Sequence, residues 1–137
     1  MIRQIAFVAF ASMFVLGTVG CSPETKSTAP VQAGMTDTLI EVSSMIRLYS
    51  GKANKGPTKP ADLAEFESGC PIGYAAVKSG EIIVIWGKKM GGEGVKGSDE
   101  LIAYEKKAPS EGGYVLLNDG TVKKMEPSDL VARGVSK

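Results

Sequence analysis

The chain has 137 residues, with 16 Lys+Arg against 15 Asp+Glu, a formal charge of +1 and no histidine. That length suits a single domain. Without histidine there is no imidazole base, no Ser-His-Asp or Cys-His site and no imidazole-based metal site. The near-neutral balance argues against nucleic acid, which selects a basic excess. Two cysteines, Cys21 and Cys70, cannot build a disulfide framework or a four-cysteine zinc site.

The chain opens with Arg3 and an apolar run from Ile5 to Leu16, broken only by Ser12 and followed by small residues and Cys21. This is the layout of a secretory signal over 1–20. The run is too short for a comfortable membrane span of about 20 apolar residues. Its end, Thr18-Val19-Gly20-Cys21, resembles the lipobox of bacterial lipoproteins, with Thr18 where leucine is usual. The resemblance implies cleavage before Cys21 and acylation of that residue. Two or three acyl chains, palmitate among them, anchor stably where one would be marginal. The alternative is an ordinary secreted protein with Cys21 bonded to Cys70.

Removing 20 of the 137 residues leaves 117, and losing Arg3 takes the cationic count from 16 to 15, against 15 anionic. Three phenylalanines (Phe7, Phe10, Phe14) leave as well. Residues 22–34 (SPETKSTAPVQAG) are too poor in apolar surface to order themselves. Together with Cys21 they read as a lipidated tether over 21–34, reaching about 40 Å stretched and roughly 20 Å as a coil. Ser22, in place of the aspartate that marks inner-membrane retention in enteric-type lipoproteins, implies outer-membrane delivery facing the periplasm. A small domain over 35–137 follows.

In that domain Met35, Leu39, Val42, Ile46 and Tyr49 form an apolar stripe at helical spacing. Thr38-x-x-Glu41 fits a capping box, and Gly51 offers a stop. Lys52 to Lys59 reads as a polar loop whose Lys52, Lys55 and Lys59 are a solvated charge group or a face for anionic headgroups. Short helices are expected at Pro60–Glu67 and Pro71–Ser79, the second ending at Gly80. From Ile82 the pattern changes. Ile82 to Trp86 is a continuous apolar run, expected as a strand covered on both faces. A glycine-rich loop follows over 87–99, then a strand at Leu101–Tyr104. Tyr114–Leu117 and Thr121–Met125 flank Asn118-Asp119-Gly120, a hairpin signal. Pro127–Gly134 reads as a closing helix. The order predicts an α+β fold, with an N-terminal helix and short helices on a three- to four-stranded antiparallel sheet.

The stretch Leu101–Met125 carries Tyr104-Glu105-Lys106, Gly112-Gly113, Val115-Leu116-Leu117, Asp119-Gly120 and Val122. It resembles the C-terminal part of bacterial prepilin-like proteins related to type II secretion pseudopilins. That resemblance implies a long N-terminal helix packed on a small antiparallel sheet and a link to a secretion or pilus-like assembly. Many of those relatives place a histidine ahead of the Asp-Gly turn, which this chain lacks. Gly34 to Glu41 echoes their processing site with extra residues inserted, but Val42 to Arg47, which follows, is too polar to span a bilayer. A lipid anchor would take the helix's place and make polymerisation into a pilus unexpected.

Several further patterns point to chemistry. Gly92-Glu93-Gly94-Val95-Lys96-Gly97 matches G-x-G-x-x-G but lacks the strand-to-helix context of a dinucleotide site. Glu93, Asp99, Glu100 and Asp119 are candidate calcium ligands, opposed by Lys88, Lys89 and Lys96. Cys70, ahead of Pro71 at a helix start, is either a thiol whose pKa the helix dipole lowers or a buried small residue. The first reading allows a redox or dimer-forming role. Trp86 is a core residue or, if exposed, an interface residue. These features favour a non-enzymatic, membrane-anchored interaction domain with envelope protein partners. The alternative is a periplasmic ligand- or calcium-binding module using loop 87–99.

Overall fold

The structure is a computed structural model that describes residues 29–91 and 99–136, with side chains described from residue 34 onward. Helix α1 runs Ala29–Ala53. A 3-10 helix, Pro60–Phe66, and helix α2, Pro71–Ser79, follow. Strands β1 (Ile82–Val84) and β2 (Leu101–Glu105) come next, then a short helix α3 (Ala108–Glu111). The chain ends with β3 (Gly113–Leu117), β4 (Val122–Met125) and α4 (Pro127–Ala132). The strands form one antiparallel sheet in the order β1-β2-β3-β4. The expected α+β architecture, helices on an antiparallel meander, is the observed one.

The α1 helix is longer at both ends than its apolar stripe. It takes in residues 29–34, assigned above to the tether and placed outside the domain. Pro30 sits in the first turn, where its missing N–H costs nothing. Extending a formed helix adds one hydrogen bond per residue, so a polar segment can continue a helix it could not nucleate. Gly51 does not stop the helix, since glycine inside one costs only about 1 kcal/mol against alanine. The left-handed turn comes at Asn54 instead, with φ 54°. Asparagine tolerates that region better than most residues.

The expected capping box is also absent. Thr38 lies inside the helix, and its hydroxyl donates to the Gly34 carbonyl at 2.7 Å. Glu41 serves a different helix: its carboxylate accepts the Gly73 N–H at 2.7 Å, at the N-terminal end of α2. There it satisfies a donor with no intrahelical partner and complements the helix dipole. Gly73 permits the approach, because a Cβ there would lie 2.7 Å from Glu41 Cβ.

The sheet carries a core on each face. Leu39, Val42, Met45 and Ile46 of α1 pack with Ile82, Val84, Ile102, Ala103 and Leu116, and Tyr74 and Val77 of α2 join them. On the other face Leu101, Val115, Leu117 and Met125 pack with Ala108 of α3 and Leu130 of α4. Alternation along β3 sends Val115 and Leu117 to one core and Leu116 to the other. In β2 the register shifts between Leu101 and Ala103. The extra residue is a bulge, which lets Ile102 and Ala103 both face α1.

The first strand is shorter than its apolar run. Hydrogen bonding continues only as far as the Ile85 N–H, which donates to the Ile102 carbonyl at 2.8 Å. Ile85 and Trp86 are half-buried, on opposite cores. The apolar run is continuous because both faces of the sheet are covered, as expected. No helix among the described residues is long and apolar enough to cross a membrane.

Candidate functional site

Three polar features stand out: the β3–β4 turn, a furrow around Met35, and the start of α2.

At the turn, Gly120 has φ 89°, a conformation open to glycine at little cost. The bare Cα leaves room for Arg47 of α1, whose Cζ would lie 2.9 Å from an added Cβ. The Arg47 guanidinium donates to the Asp119 carbonyl at 2.7 Å. The Asp119 carboxylate accepts the Thr121 N–H at 2.8 Å. Asn118 holds the neighbouring loop: its Oδ1 accepts the Gly91 N–H at 3.0 Å, and its Nδ2 donates to Glu100 at 2.9 Å. Lys88 Nζ lies 2.6 Å from the other Glu100 oxygen.

This arrangement accounts for two of the candidate calcium ligands. The Glu100 carboxylate is engaged by Lys88 and Asn118, and the Asp119 carboxylate by Thr121, while Arg47 bonds the Asp119 backbone carbonyl. Asp99 offers its backbone carbonyl to the Arg133 guanidinium. Glu93, with the rest of the G-x-G-x-x-G stretch, lies outside the described residues. Among the described residues there is no group of three or more His, Cys, Asp or Glu side chains placed to hold a metal ion.

Both engaged carboxylates titrate below their ordinary values. Hydrogen bonds from Lys88 and then Asn118 hold Glu100 down. Bonds from Thr121, helped by the charges of Arg47 and Lys123, hold Asp119 down. Asp62 is lowered in the same way by Thr58. A carboxylate with a depressed folded pKa contributes stability above its unfolded pKa of about 4. That contribution is lost as pH falls through the lower folded value. The melting temperature is therefore expected to drop below about pH 4, and to drop less steeply in Glu100→Gln. Thermal melts from pH 6 to pH 3 check this; equal slopes for the two proteins would contradict it.

The furrow lies where α1 passes the start of the sheet. Three open depressions share Met35. The first, about 490 Å³, is bounded by Glu81 and Glu105–Lys107. The second, about 240 Å³, runs to Gly113, Tyr114 and Lys124. The third, about 510 Å³, runs along Ile72 and Ala75 of α2. Ile72 is 60% exposed there. At the furrow's centre Glu105 is only 5% exposed. Its Oε2 accepts the Tyr114 N–H at 2.5 Å, and its Oε1 lies 3.9 Å from Lys107 Nζ. A Cβ at Gly113 would come within 2.5 Å of that carboxylate, so Gly113 makes its seat. Sequence reasoning missed both Glu105 and Arg47, because a charged residue at a strand end or mid-helix looks the same whether it is solvated or turned inward.

Cys70 is buried at 8% exposure and has no disulfide partner among the described residues. Of the two readings of Cys70, the buried small residue is the one observed, and its pKa is raised rather than lowered. Burial disfavours the thiolate, and the nearby Glu41 carboxylate adds to the effect. Alkylation by iodoacetamide at pH 8, followed at Cys70 by peptide mass, is expected to run at least about tenfold slower in the folded protein than in denaturant. Equal rates would show an accessible thiolate. Trp86 packs half-buried against the α1-side core, so it is not an exposed anchor. Cys21 lies outside the described residues. Lys52, expected in the basic loop, lies in the last turn of α1 and pairs with Glu65.

Comparison with protein-family models, with curated proteins and with solved structures finds no match to this chain.

Proposed function

We propose that this protein is a lipid-anchored component of the bacterial envelope whose folded domain binds other proteins and catalyses no reaction. The observation that carries the reading is Cys21, placed directly after Gly20 at the end of a signal-like apolar run. Acyl chains on Cys21 would hold the domain at the membrane, in this reading the outer membrane on its periplasmic side. Seven residues separate Cys21 from the first residue of α1, Ala29. An α1 helix laid over an antiparallel meander agrees with the architecture implied by the pseudopilin-like stretch Leu101–Met125. That agreement supports a role beside a secretion or pilus-like assembly. The engagement of Glu100 and Asp119 in internal contacts favours this reading over a calcium-binding module.

Metabolic labelling with an alkyne-bearing palmitate, in cells expressing the full chain, tests the anchor. Label is expected on the wild type and lost in Cys21→Ser, with the variant leaving the membrane fraction. Label that survives the substitution would sink the anchor.

A further inference from the structure

The meander ends on two edge strands, β1 and β4. Past the C-terminal end of β1 the segment at Gly56 and Pro57 crosses close by. The Gly87 N–H donates to the Pro57 carbonyl at 2.7 Å, and Gly56 packs directly on the Lys88 carbonyl. Beside β4 no strand pairs among the described residues.

The register shows what β4 offers. The Leu117 N–H donates to the Thr121 carbonyl at 2.9 Å. Antiparallel partners alternate between bonded and non-bonded pairs. The bonded pairs that follow are Val115 with Lys123 and Gly113 with Met125. The backbone N–H and C=O groups of Val122 and Lys124 therefore point away from the sheet. Next to this edge lies an open groove of about 470 Å³ between β4 and α4, lined by Lys123, Lys124, Met125, Asp129, Ala132 and Arg133. A strand edge on one wall and a helix on the other is the geometry in which an extended peptide adds to a sheet.

We propose that the β4 edge binds an extended, acidic segment of a partner protein as a fifth strand, seated against α4. Charge selects the occupant. The groove's lining carries three cations, Lys123, Lys124 and Arg133, and one carboxylate, Asp129; none of the three forms an ion pair within 4 Å among the described residues, although Asp119 feels the charge of Lys123. A second copy is disfavoured, because pairing β4 with β4 brings Lys123 and Lys124 of both copies together. Lysines on an edge strand protect against that association. An acidic strand meets the same lysines as counter-charges and takes up the outward groups of Val122 and Lys124. The proposal rests on the reading of the domain as an interaction module and does not depend on the anchor at Cys21.

The test titrates the purified full chain with a fluorescein-labelled eight-residue peptide of alternating Glu and Val, using a Lys-Val peptide as control. Saturable binding of the acidic peptide alone is expected, weakened at least about tenfold, or 1.4 kcal/mol, in Lys123→Glu/Lys124→Glu. The variant's melting temperature confirms that it is folded. In the wild type, hydrogen exchange at the Val122 and Lys124 amides should slow on binding. Binding that leaves those two amides unprotected would mean charge adsorption and overturn the strand-addition proposal. Absence of saturation would do the same, as would a dimer of the free protein whose contacts map to β4. None of these results would alter palmitate labelling at Cys21, so failure here is distinguishable from failure of the anchor.

Discussion

Ile46→Ala is expected to destabilise the domain by about 3–4 kcal/mol, whereas Leu48→Ala, two residues along the same helix, should change stability by no more than about 0.5 kcal/mol. Ile46 is fully buried between α1 and the sheet, beside Leu116 and Val42. Truncating it removes apolar contact and leaves a cavity that a packed sheet cannot close. Leu48 is 55% exposed, and alanine is the better helix former. Urea denaturation of the two variants measures the contrast. A loss at Leu48 comparable to that at Ile46 would mean that the outer face of α1 is covered in the folded protein.

Gly56→Ala is expected to cost about 2–3 kcal/mol, although the residue lies in a loop and looks dispensable in the sequence. A Cβ there would fall on the Lys88 carbonyl and 2.6 Å from the Gly87 carbonyl carbon. Both are backbone atoms, so no side chain can swing aside to make room. Relief requires the crossing segment to back away from Gly87, which would break the Gly87–Pro57 hydrogen bond. Gly51→Ala is the control, since a Cβ at Gly51 meets nothing within 4 Å. It should be neutral or stabilising by up to about 1 kcal/mol, as expected for alanine in a helix. Denaturant midpoints for the pair decide it: equal stability would show that segment 56–57 is not held against the β1 end.

Local chemistry made much of the fold readable. Pro71 and Gly80 bracket α2 as expected, with Gly80 in the left-handed conformation. The Asp-Gly signal places the β3–β4 hairpin correctly, because the turn depends on residues next to one another. What was missed depends on distant partners. The short helix α3 has no signal in the sequence pattern, and Met45, fully buried, lies outside the single apolar stripe. α1 lies against α2 and the 3-10 helix as well as the sheet, so its buried face is wider than one stripe.

The candidate sites divide in the same way. Asp119 could be located at a turn from the sequence, yet its engagement with Thr121 and Arg47 required a residue 72 positions away. The thiol of Cys70 follows the same logic. A helix start by itself would favour the thiolate, but burial and a carboxylate from α1 outweigh it.

By itself the sequence determined the signal-like opening, the placing of Cys21, the α+β order of elements and the hairpin. Periodicity, turn chemistry and composition act over a few residues, and neighbours along the chain suffice to express them. Only the tertiary structure decided where α1 begins and ends, that Glu41 caps α2 rather than its own helix, that Glu105 turns inward, and that β4 lies at an edge of the sheet. Those outcomes turn on which groups meet across the fold, where burial and charge override local preference.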